Sequence, residues 1–415
     1  MILVRFIVLL LLFAYLSSGD SYAQQKPLEI PRQPRTTPVQ AIHRVPFELY
    51  GGRIYLRVRV NNSEPRPFIL DTGAQIAHLR KELAQTAGLR LRSGLGVTGT
   101  GAGRIKAHYV AAATYNVSGA EFIDERSIAL PTADFFQPLE NSFGREFDGV
   151  LGYNIFHRFV VEIDYANQMI NLYDPASYRY AGSGEVVPIR INDKKPYITA
   201  TLTPIEGVVI QSNLHIDTGF GGGLSFNANF VRANNLLQSA RTTIESFNRG
   251  AGGETATRVG RVKSLQFGRF TILNPTASFA LEQGRGVRSD SAGRIGGGTL
   301  QRFKVVLDYS RKQMILEPNA NFNEPYEADM SGISLVAEKP DYKTFVVYKL
   351  TANSPATQAG VRTGDVILNV DSQPTSKFTL EQIREMFKQV GQERLLRVKR
   401  GNEMLEIQIK LRRLI

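Results

Sequence analysis

Between residues 46 and 320, apolar and polar residues alternate in short runs that glycine, asparagine and proline interrupt. The segments 53–60 and 66–70 are typical examples. An alternation with a period of two places successive side chains on opposite faces, which is the pattern of a half-buried strand. Segments with a helical pattern follow at 77–89 and 226–237. The region is therefore predicted to be mainly β, with antiparallel strands and few helices.

The two halves of this β region repeat each other. The sequence FILDTG at 68–73 recurs as LHIDTG at 214–219, and each copy precedes a helical segment and a glycine-rich stretch. Near the end of each half, GYNIFHRFVVEIDY at 152–165 aligns without gaps on GGGTLQRFKVVLDY at 296–309. Because the motifs keep the same order in both copies, the sequence predicts a duplicated lobe, spanning 46–180 and 181–320.

The N-terminus has the form of a secretory signal peptide over residues 1–23. Arg5 precedes an apolar run at 6–16, and Ser21-Tyr22-Ala23 provides the small-x-small site that signal peptidase accepts. The run is about 11 residues long, whereas a membrane-spanning helix needs about 20. We expect an exported, periplasmic or secreted protein without a transmembrane span in the mature chain; the alternative is an uncleaved anchor. Residues 24–45 contain four prolines and predict an extended leader.

Composition excludes several kinds of chemistry. The 415 residues include no cysteine, which rules out disulfides, thiolate catalysis and zinc–thiolate sites. The five histidines show no metal-ligand spacing, and the glycine-rich runs lack the lysine and hydroxyl residue of a phosphate loop. We therefore expect no metal and no cofactor. The formal net charge of +12 comes from scattered Lys and Arg residues, so we expect a solvated surface and no nucleic-acid partner.

The repeat brings one acidic residue of each half, Asp71 and Asp217, to equivalent positions. A single Asp-Thr-Gly sequence is usually just a turn, but two copies related by a duplication point to a shared site. Two carboxylates held close together cannot both ionise, so one pKa rises and the other falls. The ionised carboxylate can then activate a water molecule while the protonated one donates to a carbonyl oxygen.

These motifs resemble those of aspartic peptidases, in particular retropepsin-like lobes. In that family Asp-Thr-Gly is paired with a later apolar-apolar-Gly segment, for which this chain offers 149–152 and 293–296. The resemblance implies a two-lobed enzyme that carries both halves of the site on one chain and cleaves peptide or protein substrates. It also implies that six residues form the catalytic loops: the carboxylates of Asp71 and Asp217, the supporting threonines Thr72 and Thr218, and the glycines Gly73 and Gly219.

The second lobe departs from the family pattern at Phe220 and Arg294, so the alternative is a catalytically inactive, peptide-binding envelope protein that keeps the protease fold. Ala74 and Phe220 stand where related enzymes often place a hydroxyl that stabilises the ionised carboxylate, and its loss predicts raised pKa values in both loops. His215, two residues before Asp217, either tunes the carboxylates or has a structural role. The glycine-rich stretches near 99–103 and 250–253 are either hairpin tips that close over substrate or flexible turns.

From about residue 331 to 415 the chain resembles a PDZ domain of bacterial envelope proteases. The resemblance is carried by SPATQAGV at 354–361 and RTGDVI at 362–367, after a polar linker. It implies an α/β module in which a C-terminal peptide ligand adds as a strand beside a helix at 380–389. The loop expected to bind the peptide carboxylate comprises Gly332, Ile333, Ser334 and Leu335. The alternative is a module used only for internal docking.

Overall fold

The computed structural model describes residues 41–288 and 290–415, so the predicted signal peptide and most of the predicted leader lie outside it. The chain is mainly β, with protease-like lobes followed by an α/β module, as the sequence predicted. Within the described residues, no helix is long and apolar enough to cross a membrane.

The first lobe is built around one eight-stranded sheet. Its elements are β1 (His43–Pro46), β2 (Glu48–Tyr50), β3 (Arg53–Val60), β4 (Arg66–Leu70), β5 (Ala77–Arg80), α1 (Lys81–Thr86), β6 (Leu91–Val97), β7 (Ile105–Val117), β8 (Ala120–Leu130), a π-helical turn (Thr132–Phe136), α2 (Gln137–Phe143), β9 (Gly149–Leu151), α3 (Tyr153–Phe156), β10 (Val160–Asp164) and β11 (Met169–Tyr173). The strand order is β2-β3-β4-β9-β5-β8-β7-β6, and β4 pairs with β9 in parallel. This parallel pair sets the end of β4 beside the end of β9.

The second lobe repeats this arrangement. Its elements are β12 (Glu185–Pro188), β13 (Arg190–Asn192), β14 (Lys195–Thr203), β15 (Ile210–Asp217), β16 (Leu224–Phe226), α4 (Ala228–Ala233), α5 (Leu236–Ser239), β17 (Ile244–Gly250), β18 (Gly253–Arg261), β19 (Ser264–Phe267), β20 (Phe270–Leu273), β21 (Thr276–Ala280), β22 (Gly293–Gly296), α6 (Gly297–Leu300), β23 (Phe303–Asp308) and β24 (Gln313–Pro318). The strand order is β17-β18-β21-β16-β22-β15-β14-β19-β20, with β13 on β14. The parallel pair β15–β22 is the counterpart of β4–β9.

A third sheet joins the lobes. Its order is β1-β11-β10-β23-β24-β12, and the repeated terminal strands β10 and β23 pair with each other at its centre. The leader expected through residue 45 therefore ends earlier, because β1 pairs with β11 and Val45 is buried in the core. An apolar Val45 facing inward, with its neighbours hydrogen-bonded to a strand, explains the difference.

The helix predicted at 77–89 is also corrected. Its first part is the strand β5, inserted between β8 and β9, and only Lys81–Thr86 is helical. Ala77 and Leu79 are both buried between these neighbouring strands, so tertiary pairing overrides the local helical pattern. In the second lobe the segment 226–237 likewise begins in β16, and its helical part is divided between α4 and α5.

The C-terminal module has its own sheet and core. It contains β25 (Ile333–Glu338), β26 (Thr344–Leu350), α7 (Pro355–Gln358), β27 (Val366–Val370), β28 (Gln373–Pro374), a 3₁₀ turn (Thr375–Lys377), α8 (Leu380–Met386), β29 (Glu393–Arg400) and β30 (Glu403–Lys410). The strand order is β25-β26-β27-β29-β30, which leaves β25 at an edge. Thr379 caps α8 through a capping box with Gln382. The helix ends at Met386, before the predicted residue 389.

A buried charge cluster braces the first lobe. The Arg80 guanidinium donates to Asp148 at 2.6 Å and to Glu140, and both carboxylates are almost completely buried. Arg66, which is much more exposed, also donates to Asp148 at 2.6 Å. Burying carboxylates costs several kcal/mol unless they are paired, so the lobe depends on Arg80.

We expect Arg80→Met to lower the free energy of unfolding by about 3–5 kcal/mol, because it leaves two buried carboxylates without their main partner. The matched variant Arg66→Met removes only an exposed partner and should cost about 1 kcal/mol or less. Urea unfolding followed by circular dichroism measures both. Equal losses in the two variants would contradict this account of the cluster.

Candidate active site

The two Asp-Thr-Gly loops lie at the ends of equivalent strands. Asp71 follows β4 and Asp217 is the last residue of β15. The Asp71 backbone N–H donates to Leu151 O at 2.8 Å, and Asp217 is in register with Gly296 of β22. The predicted apolar-apolar-Gly segments thus lie directly beside the loops. The pairs β4–β9 and β15–β22 are both parallel. Each carboxylate therefore lies at the C-terminal end of such a pair, at equivalent places in the two lobes.

Thr72 and Thr218 exchange hydrogen bonds between the lobes. The Thr72 N–H donates to Thr218 Oγ1 at 3.0 Å, and the Thr218 N–H donates to Thr72 Oγ1 at 3.1 Å. Each hydroxyl in turn donates to a backbone carbonyl of the other lobe, that of Ile216 at 2.5 Å and that of Leu70 at 2.9 Å. Both threonines are buried, so these four bonds fix the loops against each other.

Gly73 and Gly219 allow the carboxylates to approach. The Gly73 N–H donates to Asp71 Oδ1 at 2.6 Å, and the Gly219 N–H donates to Asp217 Oδ1 at 3.1 Å. A methyl group added at Gly219 would lie 2.4 Å from Asp71 Cγ, across the lobe boundary. One added at Gly73 would lie 2.9 Å from Asp71 Oδ1 and 3.4 Å from Asp217 Oδ1. The structure therefore brings all six predicted loop residues together at the junction of the lobes.

The pKa values of the two carboxyls move apart. Burial, and then the charge of Asp217, raises the pKa of Asp71 to about 7. Burial also acts to raise the pKa of Asp217, but His215 and Arg294 outweigh it, and the pKa of Asp217 lies below its ordinary value of 3.8. Between the two pKa values the pair carries one charge, on Asp217, and Asp71 keeps its proton until the pH rises towards about 7.

The expectation of raised pKa values in both loops is correct in direction for Asp71 and wrong for Asp217. The missing hydroxyl after Asp217 is replaced by other donors. The Phe220 backbone N–H donates to Asp217 Oδ1 at 3.1 Å, and Arg294 Nη1 donates to Asp217 Oδ2 at 3.1 Å. Both donors stabilise the ionised form, so the pKa of Asp217 falls.

Sequence reasoning missed the role of Arg294, which it treated only as a departure from an apolar segment. The Arg294 guanidinium is stacked 4.1 Å from the centre of the Phe220 ring. His215 pairs with Arg294 between β15 and β22, and its Nδ1 lies 3.8 Å from Asp217 Oδ2. Burial lowers the pKa of His215 to about 4, so this histidine is neutral at pH 7. In the sequence, the position of His215 two residues before Asp217 was the signal that this histidine lies near the carboxylate.

The pair of carboxyls of Asp71 and Asp217, here called the dyad, faces a cavity of about 680 Å³ lined by both lobes. Two hairpins cover it: the first flap, β6–β7 with its tip at 98–104, and the second flap, β17–β18 with its tip at 251–252. The Gly101 and Gly103 N–H groups donate to Ala251 O at 3.0 Å and Gly252 O at 2.7 Å. The two predicted glycine-rich stretches are thus hairpin tips that meet across the cavity, where these two hydrogen bonds join them.

The predicted carboxylate-binding loop of the C-terminal module lies at the start of β25. The Gly332 N–H donates to Asp329 Oδ1 at 2.6 Å, and the Ile333 N–H donates to Ser331 Oγ at 3.0 Å. Ser334 and Leu335 lie within β25 and pair with β26. A peptide carboxylate bound at this loop would have to replace these internal acceptors.

Among residues 41–288 and 290–415, no group of three or more His, Asp or Glu side chains could hold a metal ion.

Comparisons with known proteins match two parts of the chain to family models. Residues 56–155, which include Asp71 and the 149–152 segment, match the family model described as an aspartyl protease. Residues 346–400 match the family model of the PDZ domain. The chain is also similar to a probable CtpA-like serine protease of Staphylococcus haemolyticus (strain JCSC1435), with 27% identity over 159 residues. That match covers 38% of this chain and 30% of the relative, so it spans under a third of the relative's length. The chain joins an aspartyl protease domain to a PDZ domain, and the architecture that the motifs predicted is confirmed.

Proposed function

We propose that this chain is an exported aspartic endopeptidase in which Asp71 and Asp217 hydrolyse peptide bonds with one water molecule. The observation that carries the proposal is the pair of Asp-Thr-Gly loops, locked by Thr72 and Thr218, whose carboxyl pKa values are displaced in opposite directions. Pairs of titratable groups with separated pKa values are typical of general acid–base catalysis.

The roles of the two carboxyls follow from their charges. Asp217 accepts a proton from the water as its oxygen attacks the scissile carbonyl carbon, and Asp71 gives its proton to the carbonyl oxygen. The tetrahedral diol then returns a proton to Asp71 as the carbonyl forms again. Asp217 delivers its proton to the amine nitrogen as the C–N bond breaks. Both carboxyls finish the cycle in their starting states.

The cavity favours an extended peptide or an unfolded protein segment as substrate. It lies between the lobes beneath the two flaps, and residues of both lobes line it. Main-chain recognition of an extended peptide by flanking strands is the physical basis of such binding. We propose that the PDZ domain binds a peptide of the substrate or of a partner protein. Export through the predicted signal peptide belongs to the same proposal.

A serine peptidase is the second candidate, since the curated relative is named as one. Among residues 41–288 and 290–415, the serines that line the cavity are Ser225 and Ser291. Ser225 Oγ accepts from Asn248 Nδ2 at 3.5 Å, and Ser291 Oγ donates to Gly293 O at 3.0 Å. A serine nucleophile needs a base within hydrogen-bond reach, and these partners are an amide and a carbonyl. The aspartic mechanism is therefore favoured.

We expect the wild-type protein to cleave an unfolded protein substrate, and Asp71→Asn and Asp217→Asn each to lower kcat/KM by about 10²- to 10⁴-fold. The matched control is Asp193→Asn. Asp193 lines the same cavity and has a left-handed backbone (φ 52°), which asparagine tolerates. A serine-directed fluorophosphonate should leave activity unchanged. Its complete inhibition of the wild type would overturn the aspartic assignment, and absence of any cleavage would favour the inactive, peptide-binding alternative.

The same assay over a range of pH tests the separated pKa values. Activity requires Asp71 protonated, so it should fall as pH rises through about 7, the pKa of Asp71. Activity also requires Asp217 ionised, so it should fall on the acid side only below pH 3.8, the ordinary value for aspartate. A profile that peaks below pH 3.8 would contradict this assignment.

A further inference from the structure

The two halves of the duplicated site differ at one position beside the carboxylates. In the apolar-apolar-Gly segments, Val150 of β9 occupies the position of Arg294 in β22. Val150 is buried and apolar, whereas Arg294 reaches Asp217 and is 17% exposed. One carboxylate of the pair, Asp217, therefore has a permanent positive charge beside it. The equivalent position of the other lobe has an apolar side chain.

Other charged and titratable groups also face the pair. They are Arg53 of β3, Lys195 and Tyr197 of β14, His215 of β15, and Tyr309, which follows β23. The Arg53 guanidinium is committed to Gly219 O at 3.1 Å and Gly51 O at 3.1 Å. Besides the side-chain hydrogen bond that it shares with Asp71, Asp217 accepts hydrogen bonds from Gly219 N, Phe220 N and Arg294 Nη1. Arg294 is thus the charged donor in direct contact with the Asp217 carboxylate.

The Arg294 side chain is also held in position. Its guanidinium is stacked on Phe220, the residue that departs from the family pattern in the same loop. Stacking on an aromatic face fixes the plane of the guanidinium and restricts its rotation. The two departures in the second lobe therefore form one unit: Phe220 orients Arg294, and Arg294 contacts Asp217.

We propose that Arg294 is a positioning residue that makes the dyad asymmetric, holding the negative charge on Asp217 and leaving the proton on Asp71. This inference rests on the proposed function. The second lobe then always supplies the base and the first lobe the acid. An arginine keeps its charge at all pH values at which proteins are folded, so the stabilisation that Arg294 gives to the ionised Asp217 is not lost by titration of the arginine.

The test compares Arg294→Met with Arg294→Lys, and uses Arg288→Met as the matched control. Arg288 lines the same cavity but pairs with Asp290. In Arg294→Met the acid limb of kcat/KM should move up by about 1–3 pH units, since a neighbouring cation lowers a carboxyl pKa by that amount. Arg294→Lys should recover most of the shift, and Arg288→Met should show none. A side chain that only stabilised the fold would lower activity without moving the limb.

A carboxyl titration separates this inference from the proposed function. NMR of the ¹³C-labelled aspartate carboxyls, assigned with Asp71→Asn and Asp217→Asn, reports the pKa of Asp217 whether or not the protein cleaves peptides. A raised pKa of Asp217 in Arg294→Met supports the asymmetric pair even if the wild type proves inactive. An unchanged pKa in that variant overturns it, even if the wild type is an active peptidase.

A separate set of contacts connects the PDZ domain to the second flap. Glu254 of β18 accepts from Tyr348 Oη at 2.8 Å and from Lys349 Nζ at 2.9 Å, both on β26 of the PDZ domain. Arg249 of β17 pairs with Glu254, and its guanidinium lies 4.9 Å from the centre of the Tyr348 ring. The rings of Phe247 and Tyr348 are in edge-to-face contact, with their centres 5.3 Å apart. The flap is therefore held from its outer side.

Helix α2 of the first lobe lies at the groove between β25 and α8. Arg384 of α8 donates both to Leu335 O of β25 at 3.1 Å and to Ser142 O of α2 at 2.8 Å. Tyr342 Oη donates to Glu140 of α2 at 2.9 Å. The same helix contacts the second flap, because Arg249 Nη1 donates to Pro138 O at 3.0 Å. A peptide entering this groove would meet the helix that also braces the flap.

We infer that the PDZ domain is a clasp that keeps the second flap closed over the cavity, with Glu254 as its main contact. Loss of the Tyr348 hydroxyl and the Lys349 ammonium removes two hydrogen bonds to a charged acceptor and weakens the outer support of the flap, in which the ring contacts of residue 348 remain. The tip bonds from the Gly101 and Gly103 N–H groups to the second flap then open more often.

Hydrogen exchange of the amides of Gly101 and Gly103 tests the clasp directly. In the double variant Tyr348→Phe, Lys349→Met we expect exchange to rise about tenfold or more, as expected for the loss of charged hydrogen bonds. The control is Lys399→Met, which neutralises an exposed lysine on β29 of the same domain. Exchange that is unchanged in the double variant, or equally raised in the control, would overturn the clasp, independently of any peptidase assay.

Discussion

The exchange of hydrogen bonds between Thr72 and Thr218 sets the distance between the two aspartate loops. The N–H and the hydroxyl of each threonine both donate hydrogen bonds to the opposite lobe. Neither loop can therefore move without breaking hydrogen bonds to the other. The six-stranded sheet shared by the lobes gives this contact a rigid base. The close fit of Gly219 against Asp71, the separated pKa values and the covered cavity all depend on the loops meeting in this way.

The fold class and the loop residues could be predicted because their signals are local and repeated. Asp71 and Asp217 recur in the same sequence context, and the turn chemistry of Asp-Thr-Gly needs only neighbouring residues. The strand β5 was missed, because pairing with β8 and β9 decided its conformation. The strand β1 was missed for a similar reason, since its partner β11 is remote in sequence. Local patterns carry no information about such partners.

The role of Arg294 at the site could not be predicted from the sequence for the same reason. Read along the chain it interrupts an apolar segment, and its contact with Asp217 exists only because β22 pairs with β15 in parallel and in one register. Similarly, Glu254 is an ordinary polar residue in a hairpin until the PDZ domain places Tyr348 and Lys349 against it. Charge on the dyad and closure of the flap are thus both controlled by residues whose roles arise from tertiary contacts.

The proposed function requires the two loops to act as one catalytic unit. Its most direct test is kcat/KM on one unfolded substrate for Asp71→Asn, Asp217→Asn and the double variant, each confirmed to be folded. Because the effects of residues that act as a unit are not additive, we expect the double variant to lose about as much activity as either single variant. Losses that multiply in the double variant, or a single variant with near wild-type activity, would contradict it.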